Sequence, residues 1–182
     1  MDIIFAVSAG NEAVPEWNEN LVYPDRVLEF VLALKSRVKQ PVTYCENNNY
    51  WISHLQAVAK ELDFISIHTY PAWIKKPVEE GLKQSIVDFD IINDFYKDKT
   101  CIITEAGWPT ESSGRGIPKE FASGEAQVRY IKEMQKWSEE NKILVFFFEA
   151  FDETWKGTDI TEEPEKHWGF YYESRKPKML MK

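Results

Sequence analysis

Five short apolar runs, rich in β-branched and aromatic residues and separated by segments of helical period, constrain this 182-residue chain more than any other feature. Residues 3–9, 41–45, 64–68, 100–104 and 143–148 read as strands. Helices are expected from about Pro24, where Pro and Asp25 suit a first turn and Val27, Val31, Leu34 and Val38 share a face. Further helices are expected over residues 51–62, from about Gln84 to Tyr96, and from an N-cap at Ser123 to about Asn141. Strands alternating with helices call for a parallel sheet, and apolar runs without polar alternation fit strands buried on both faces. Two architectures remain: an open doubly wound sheet and a (β/α)8 barrel.

Polar residues gather at the C-terminal end of nearly every run: Asn11 and Glu12, Glu46, His68 and Tyr70, Glu105, then Glu149, Asp152 and Glu153. A barrel builds its active site on that rim from several strand ends. An open sheet binding a dinucleotide needs a glycine-rich turn after a strand, and neither G-x-G-x-x-G nor G-x-x-x-x-G-K occurs. The sequence therefore favours an α/β (β/α)8 TIM barrel. The repeat averages about 35 residues, so eight repeats need about 280, whereas whole barrels typically run to ~250. The expectation is one domain over residues 1–182, an N-terminally truncated barrel portion of five βα units, with the remainder before Met1.

Charge and cysteine usage narrow the function classes. A formal net charge of −8 without a Lys/Arg cluster argues against a nucleic-acid surface. The basic stretch 174–182 reads as a solvated tail. No apolar run approaches the ~18 residues that span a bilayer, and the first residues lack the basic start of a secretory signal. Cys45 and Cys101 fall on strands with one strand between them, too far apart for a disulfide, and are expected as buried thiols. His54, His68 and His167 lack zinc-ligand spacing, so no metal or cofactor is expected. His68, at a strand end, suits a bond to a substrate hydroxyl or a carboxylate.

Glu12 and Glu105 both end strands. Glycosidic cleavage usually needs two carboxyl groups flanking the scissile bond, one to protonate the leaving oxygen and one to attack or to activate water. A single such Glu is more simply a solvated loop residue or a helix cap, a reading that weakens when several strand ends share the chemistry. Aromatic content is high, with 7 Trp, 8 Tyr and 11 Phe. Tyr70, Trp73, Trp108, Trp155 and Trp168 sit beside these polar ends and are read either as sugar-stacking surfaces or as core; Trp137 is read as core.

The motifs Gly10-Asn-Glu12, His68-Thr-Tyr-Pro71, Ile103-Thr-Glu-Ala-Gly-Trp-Pro109, Phe148-Glu-Ala-Phe-Asp-Glu-Thr-Trp-Lys156 and Glu165-Lys-His-Trp-Gly-Phe170 together resemble glycoside hydrolase family 17, the β-1,3-glucanases and glucanosyltransferases. They come in the family's order and cover nearly the whole chain. The resemblance implies that the five strands are the fourth to eighth of the barrel, with Glu12 the acid/base and Glu105 the nucleophile of a retaining mechanism on β-1,3-glucan. Such a mechanism wants roughly 5 to 5.5 Å between the carboxyl groups. It further implies substrate-binding roles for Asn11, His68, Tyr70, Trp108, Trp155 and Trp168, and auxiliary charged roles for Glu153, Lys156 and Glu165. The implied partner is a β-glucan, and the implied location is secreted, periplasmic or cell-wall if a signal lies upstream of Met1. A glucanosyltransferase and a truncated, non-catalytic glucan-binding fragment are the alternative readings.

Overall fold

The computed structural model describes residues 3–182. Its sheet has five strands, β1 (Val7–Asn11), β2 (Val42–Asn47), β3 (Ile65–Thr69), β4 (Cys101–Ala106) and β5 (Val145–Phe147), in the order β1-β2-β3-β4-β5. The β1/β2 and β2/β3 pairs are parallel. Each strand thus lies beside its neighbour in sequence, the order that repeated βα units produce. The helices are α1 (Pro24–Lys35), α2 (Asn48–Ser53), α3 (Gln56–Glu61), α4 (Val78–Phe95) and α5 (Gly124–Asn141). The chain divides into two compact units, Met1–His68 with Asp88–Thr104, and Thr69–Val87 with Glu105–Lys182.

In the first unit the ladder begins later than the apolar run suggests. Pro41 has no N–H and offers only its carbonyl, to Val7 N, so pairing starts at Val7↔Val42, and Ile3, Ile4 and Phe5 stay exposed. Between Ser8↔Thr43 and Asn11↔Cys45, β1 advances one residue more than β2. This β-bulge bends the strand and changes where the following side chains point. Ser8 Oγ braces it by donating to Gly10 O at 2.6 Å. A Cβ on Gly10 would stand 3.0 Å from the Tyr44 ring, so only glycine lets the bulge lie on β2 without displacing that ring.

The core of this unit centres on Trp51, which is fully buried. Its Nε1 donates to Glu46 O and Ser66 O, and its own carbonyl accepts from Tyr96 Oη at 2.6 Å. The single helix expected over 51–62 is two, α2 and α3, separated at His54 and Leu55. Leu55 leaves helical dihedrals and becomes fully buried along with Val58 and Ala59. No Gly or Pro marks this break, so tertiary burial decides it. Cys45 and Cys101 are free and buried.

In the second unit α5 begins as expected: Ser123 Oγ accepts from Ala126 N at 3.1 Å, and Glu125 lies in the first turn. Its buried Gln127 donates from Nε2 to the carbonyls of Trp108 and Trp168 at 2.9 and 3.0 Å. One helix side chain therefore anchors the segments that follow β4 and β5. Gly107 is required for the same packing, because a Cβ there would meet Phe148 O at 2.2 Å. Trp137 is half-buried rather than core.

The basic C-terminal stretch is not simply a solvated tail. Lys178 is 3% exposed, and its Nζ donates to Asp152 Oδ1 at 2.5 Å, to Thr110 Oγ1 at 2.8 Å and to His167 O. A buried cation is tolerated when fully paired in this way. Lys178→Met removes the cation and leaves Asp152 buried with its charge uncompensated. We expect a loss of about 3–5 kcal/mol in unfolding free energy by urea titration; a loss below about 1 kcal/mol contradicts the assigned role.

Candidate active site

Glu12 follows the bulge of β1. Its φ is 44°, in the left-handed region that costs a non-glycine residue of order 1–2 kcal/mol. The backbone is held there on both sides: Glu12 N donates to Cys45 O at 3.0 Å, and Glu12 O accepts from Asn18 Nδ2 at 2.7 Å. The side chain is 20% exposed. Its Oε1 accepts from Asn47 Nδ2 at 2.9 Å and lies 2.7 Å from His68 Nδ1. An oxygen that already accepts from an amide calls for the His68 tautomer with hydrogen on Nδ1. Both bonds fall on Oε1, and Oε2 takes no part in them.

Asn47 and His68 face each other across the β2/β3 ladder, paired residue to residue, so strand register itself delivers both donors. Buried Glu46 lies one residue earlier on β2. Asn47 N donates to Glu46 Oε1 at 2.8 Å, and Tyr44 Oη donates to Glu46 Oε2 at 3.1 Å while accepting from Ala13 N at 2.8 Å. Burial, with Glu12 nearby, pushes the Glu46 carboxyl up to about 7 against the pull of these donors. Asn11 is exposed at the end of β1.

In the second unit Glu105 lies near the end of β4 and is half-buried, and Tyr70 Oη donates to its Oε2 at 2.5 Å. Tyr70 meets Trp168 and Phe148 edge-on at 5.1 and 6.0 Å between ring centres. Trp168 is 1% exposed, with Trp73 tilted beside it at 6.2 Å. Trp108 is fully buried: its Nε1 donates to Phe121 O at 2.8 Å and its ring packs on Tyr130. Trp108 thus serves the core, with no ring face open to a sugar. Trp155 has the opposite environment at 74% exposed.

Lys156 forms an ion pair with Glu153 and lies 3.8 Å from Glu149 Oε2. Its Nζ also sits over the Phe148 ring, 4.5 Å from the centre. Burial lowers its proton affinity, but Glu153, Glu149 and Glu165 together outweigh that and raise it. Burial likewise dominates at Glu149, which is pushed up to about 8, with the charges of Glu153 and Glu165 adding to the effect and Lys156 opposing it. The strand ends therefore bring together Glu12 with His68 in one unit, and Glu105 with Tyr70 and Lys156 with Glu153 in the other. Sequence reasoning notes Glu46 and Glu149 only as strand-end carboxylates, and Asn47 is indistinguishable there from Asn48 and Asn49. Only the β2/β3 register, which pairs Asn47 with His68, singles it out.

Comparison with known proteins places these features in context. The model of the BtgE/BtgC glycoside hydrolase domain matches residues 1–169. A glucan 1,3-beta-glucosidase of Arthroderma benhamiae is 25% identical over 97% of this chain and 61% of its own length. A probable glucan endo-1,3-beta-glucosidase of Aspergillus clavatus is 26% identical over 95% of this chain and 27% of its own. Among solved structures, the Rhizomucor miehei beta-1,3-glucanosyltransferase in complex with laminaritriose superposes with a TM-score of 0.77 at 21% identity, covering 88% of this chain and 58% of that one. An endo-laminarinase from Formosa superposes with a TM-score of 0.78 at 20% identity, covering 92% and 54%. The chain spans less than two thirds of the length of each of these proteins, and the structural likeness establishes the TIM-barrel type of fold.

The carboxyl of Glu149 also predicts a stability profile. Unfolded, it releases its proton near 4.5; folded, near 8. Between those values the native chain holds a proton that the unfolded chain has lost, so unfolding free energy falls as pH rises. Glu149→Gln removes this contribution. Urea titrations at pH 5 and pH 8 should show a smaller loss of stability on alkalinisation in the variant than in the parent; an equal or larger loss contradicts the assignment.

Proposed function

Because the chain belongs to the BtgE/BtgC glycoside hydrolase domain family, we propose that it cleaves β-1,3-glucan with retention of configuration, using Glu12 as acid/base and Glu105 as nucleophile. The observation that carries the reading is the asymmetric tethering of Glu12: Oε1 is engaged by Asn47 and His68, and Oε2 is left out of those bonds. A general acid needs one oxygen fixed and the other available to deliver a proton. The names of the relatives, and the laminaritriose complex of one neighbour, supply the substrate class.

In the first step the Glu105 carboxylate attacks the anomeric carbon while Glu12 Oε2 gives its proton to the departing glycosidic oxygen, forming a glycosyl ester. In the second, Glu12 takes a proton from water as that water attacks the same carbon, and Glu105 departs as carboxylate. The hydroxyl of Tyr70, donating to Glu105 Oε2, limits the carboxylate's rotation. His68 and Asn47 accompany Glu12 through both states, since Oε1 accepts whether or not Oε2 is protonated. Exposed Trp155 offers an indole face to a glucose ring, and Asn11 and Tyr70 offer polar groups to its hydroxyls. Lys156, Glu153 and Glu165 supply an auxiliary charged set near Glu149 in the same unit as Glu105.

Azide separates the two roles. With an activated aryl β-laminaribioside, Glu105→Ala plus azide should yield the α-glycosyl azide, because azide replaces the missing nucleophile. Glu12→Ala plus azide should yield the β-glycosyl azide, because azide then attacks the glycosyl ester. Without azide each variant should turn over laminarin at least about 10²-fold more slowly than the parent. Unchanged laminarin turnover in either variant, or anomers opposite to these, contradicts the assignment.

A further inference from the structure

Glu46 is wholly buried, and the established requirements of strand packing do not call for a carboxyl there. Burying it carries a desolvation cost that an apolar residue would avoid. Its two oxygens take different donors, and each donor leads to Glu12 by a different path. Oε1 accepts from the backbone of Asn47, whose side chain donates to Glu12 Oε1. Oε2 accepts from Tyr44 Oη, which accepts in turn from the N–H of Ala13, the residue directly after Glu12. One path fixes the carboxyl of Glu12 and the other fixes its left-handed main chain.

We propose that Glu46 is a positioning residue for the acid/base Glu12, holding Asn47 and Tyr44 so that Glu12 keeps Oε1 engaged and Oε2 directed at the leaving oxygen. This rests on the reading of Glu12 given above. Burial pushes the Glu46 carboxyl up to about 7 against the donors that both its oxygens accept from. Glu46→Gln keeps an acceptor for Asn47 N but turns an NH2 group toward Tyr44 Oη. The tyrosine hydroxyl then loses its acceptor, and its bond to Ala13 N meets a competing donor.

The experiment compares kcat/KM on two substrates. The first is laminaritetraose, whose departing sugar needs a proton from the acid. The second is 2,4-dinitrophenyl β-laminaribioside, whose leaving group needs none. Loss of general acid alignment slows the first and spares the second, whereas a general weakening of the fold slows both alike. For Glu46→Gln we expect about a 10- to 100-fold loss on laminaritetraose and less than about 3-fold on the aryl substrate. Losses on the two substrates within about 3-fold of each other overturn the proposal. Should Glu46→Gln lack the parent's near-UV circular dichroism, the same criterion is applied to Asn47→Ala, which cuts the path one bond further on. Glu12→Gln is measured alongside. If it too shows no split between the substrates, the reading of Glu12 fails; if it shows the split and the Glu46 and Asn47 variants do not, only the positioning role of Glu46 fails.

Discussion

A single extra residue in β1 decides where Glu12 points. Side chains alternate along a strand, so a one-residue change in register turns every later side chain to the other face. The bulge between Ser8 and Asn11 makes that change just before the end of the strand. The left-handed turn at Glu12 completes it. The bulge depends on Gly10 lying against the Tyr44 ring, and Tyr44 is the residue whose hydroxyl accepts from Ala13 N beyond the turn. Glycine, ring and hydroxyl thus constrain both ends of a four-residue segment, and the strain of the turn is offset by hydrogen bonds at Glu12 N and O.

The second unit solves a similar problem with different groups. Glu105 stands near the end of a strand, but the segment after it must turn sharply to pack on Phe148. Gly107 permits the approach, and Gln127 of α5 ties down the carbonyls of Trp108 and Trp168. Further along, Asp152 is anchored by Lys178 and by Gly169 N, which fixes the loop carrying Glu153 and Lys156. In both units polar side chains delivered by neighbouring strand ends touch the carboxylates, Asn47 and His68 on Glu12 and Tyr70 on Glu105.

Much of this was legible in the sequence, because strand periodicity and terminal polarity are local properties. The five strands, their parallel neighbour order and the Ser123 cap follow from patterns within a few residues or from the repeat, whereas His68 reads there only as a partner for a substrate hydroxyl or a carboxylate, and its contact with Glu12 spans 56 residues. Non-local balances were not legible. The break between α2 and α3 exists because Leu55 gains more from burial than the helix gains from continuing. Trp108 and Trp155 both neighbour site motifs, yet one is core and the other exposed, since exposure depends on what α5 covers. Lys178 reads as tail because its acceptors lie 26 and 68 residues away in sequence. Gly10 and Gly107 were visible as motif members, but only the packing against Tyr44 and Phe148 explains why glycine stands there.

The central claim is that Glu105 becomes esterified to the sugar. Incubation with 2-deoxy-2-fluoro-β-laminaribiosyl fluoride slows the second step more than the first and lets the intermediate accumulate, so intact mass followed by peptide mapping locates it. The account predicts one added fluorolaminaribiosyl group per chain, on the peptide containing Glu105 and on that residue within it. A label on any other residue, or none while the fluoride is being consumed, contradicts it.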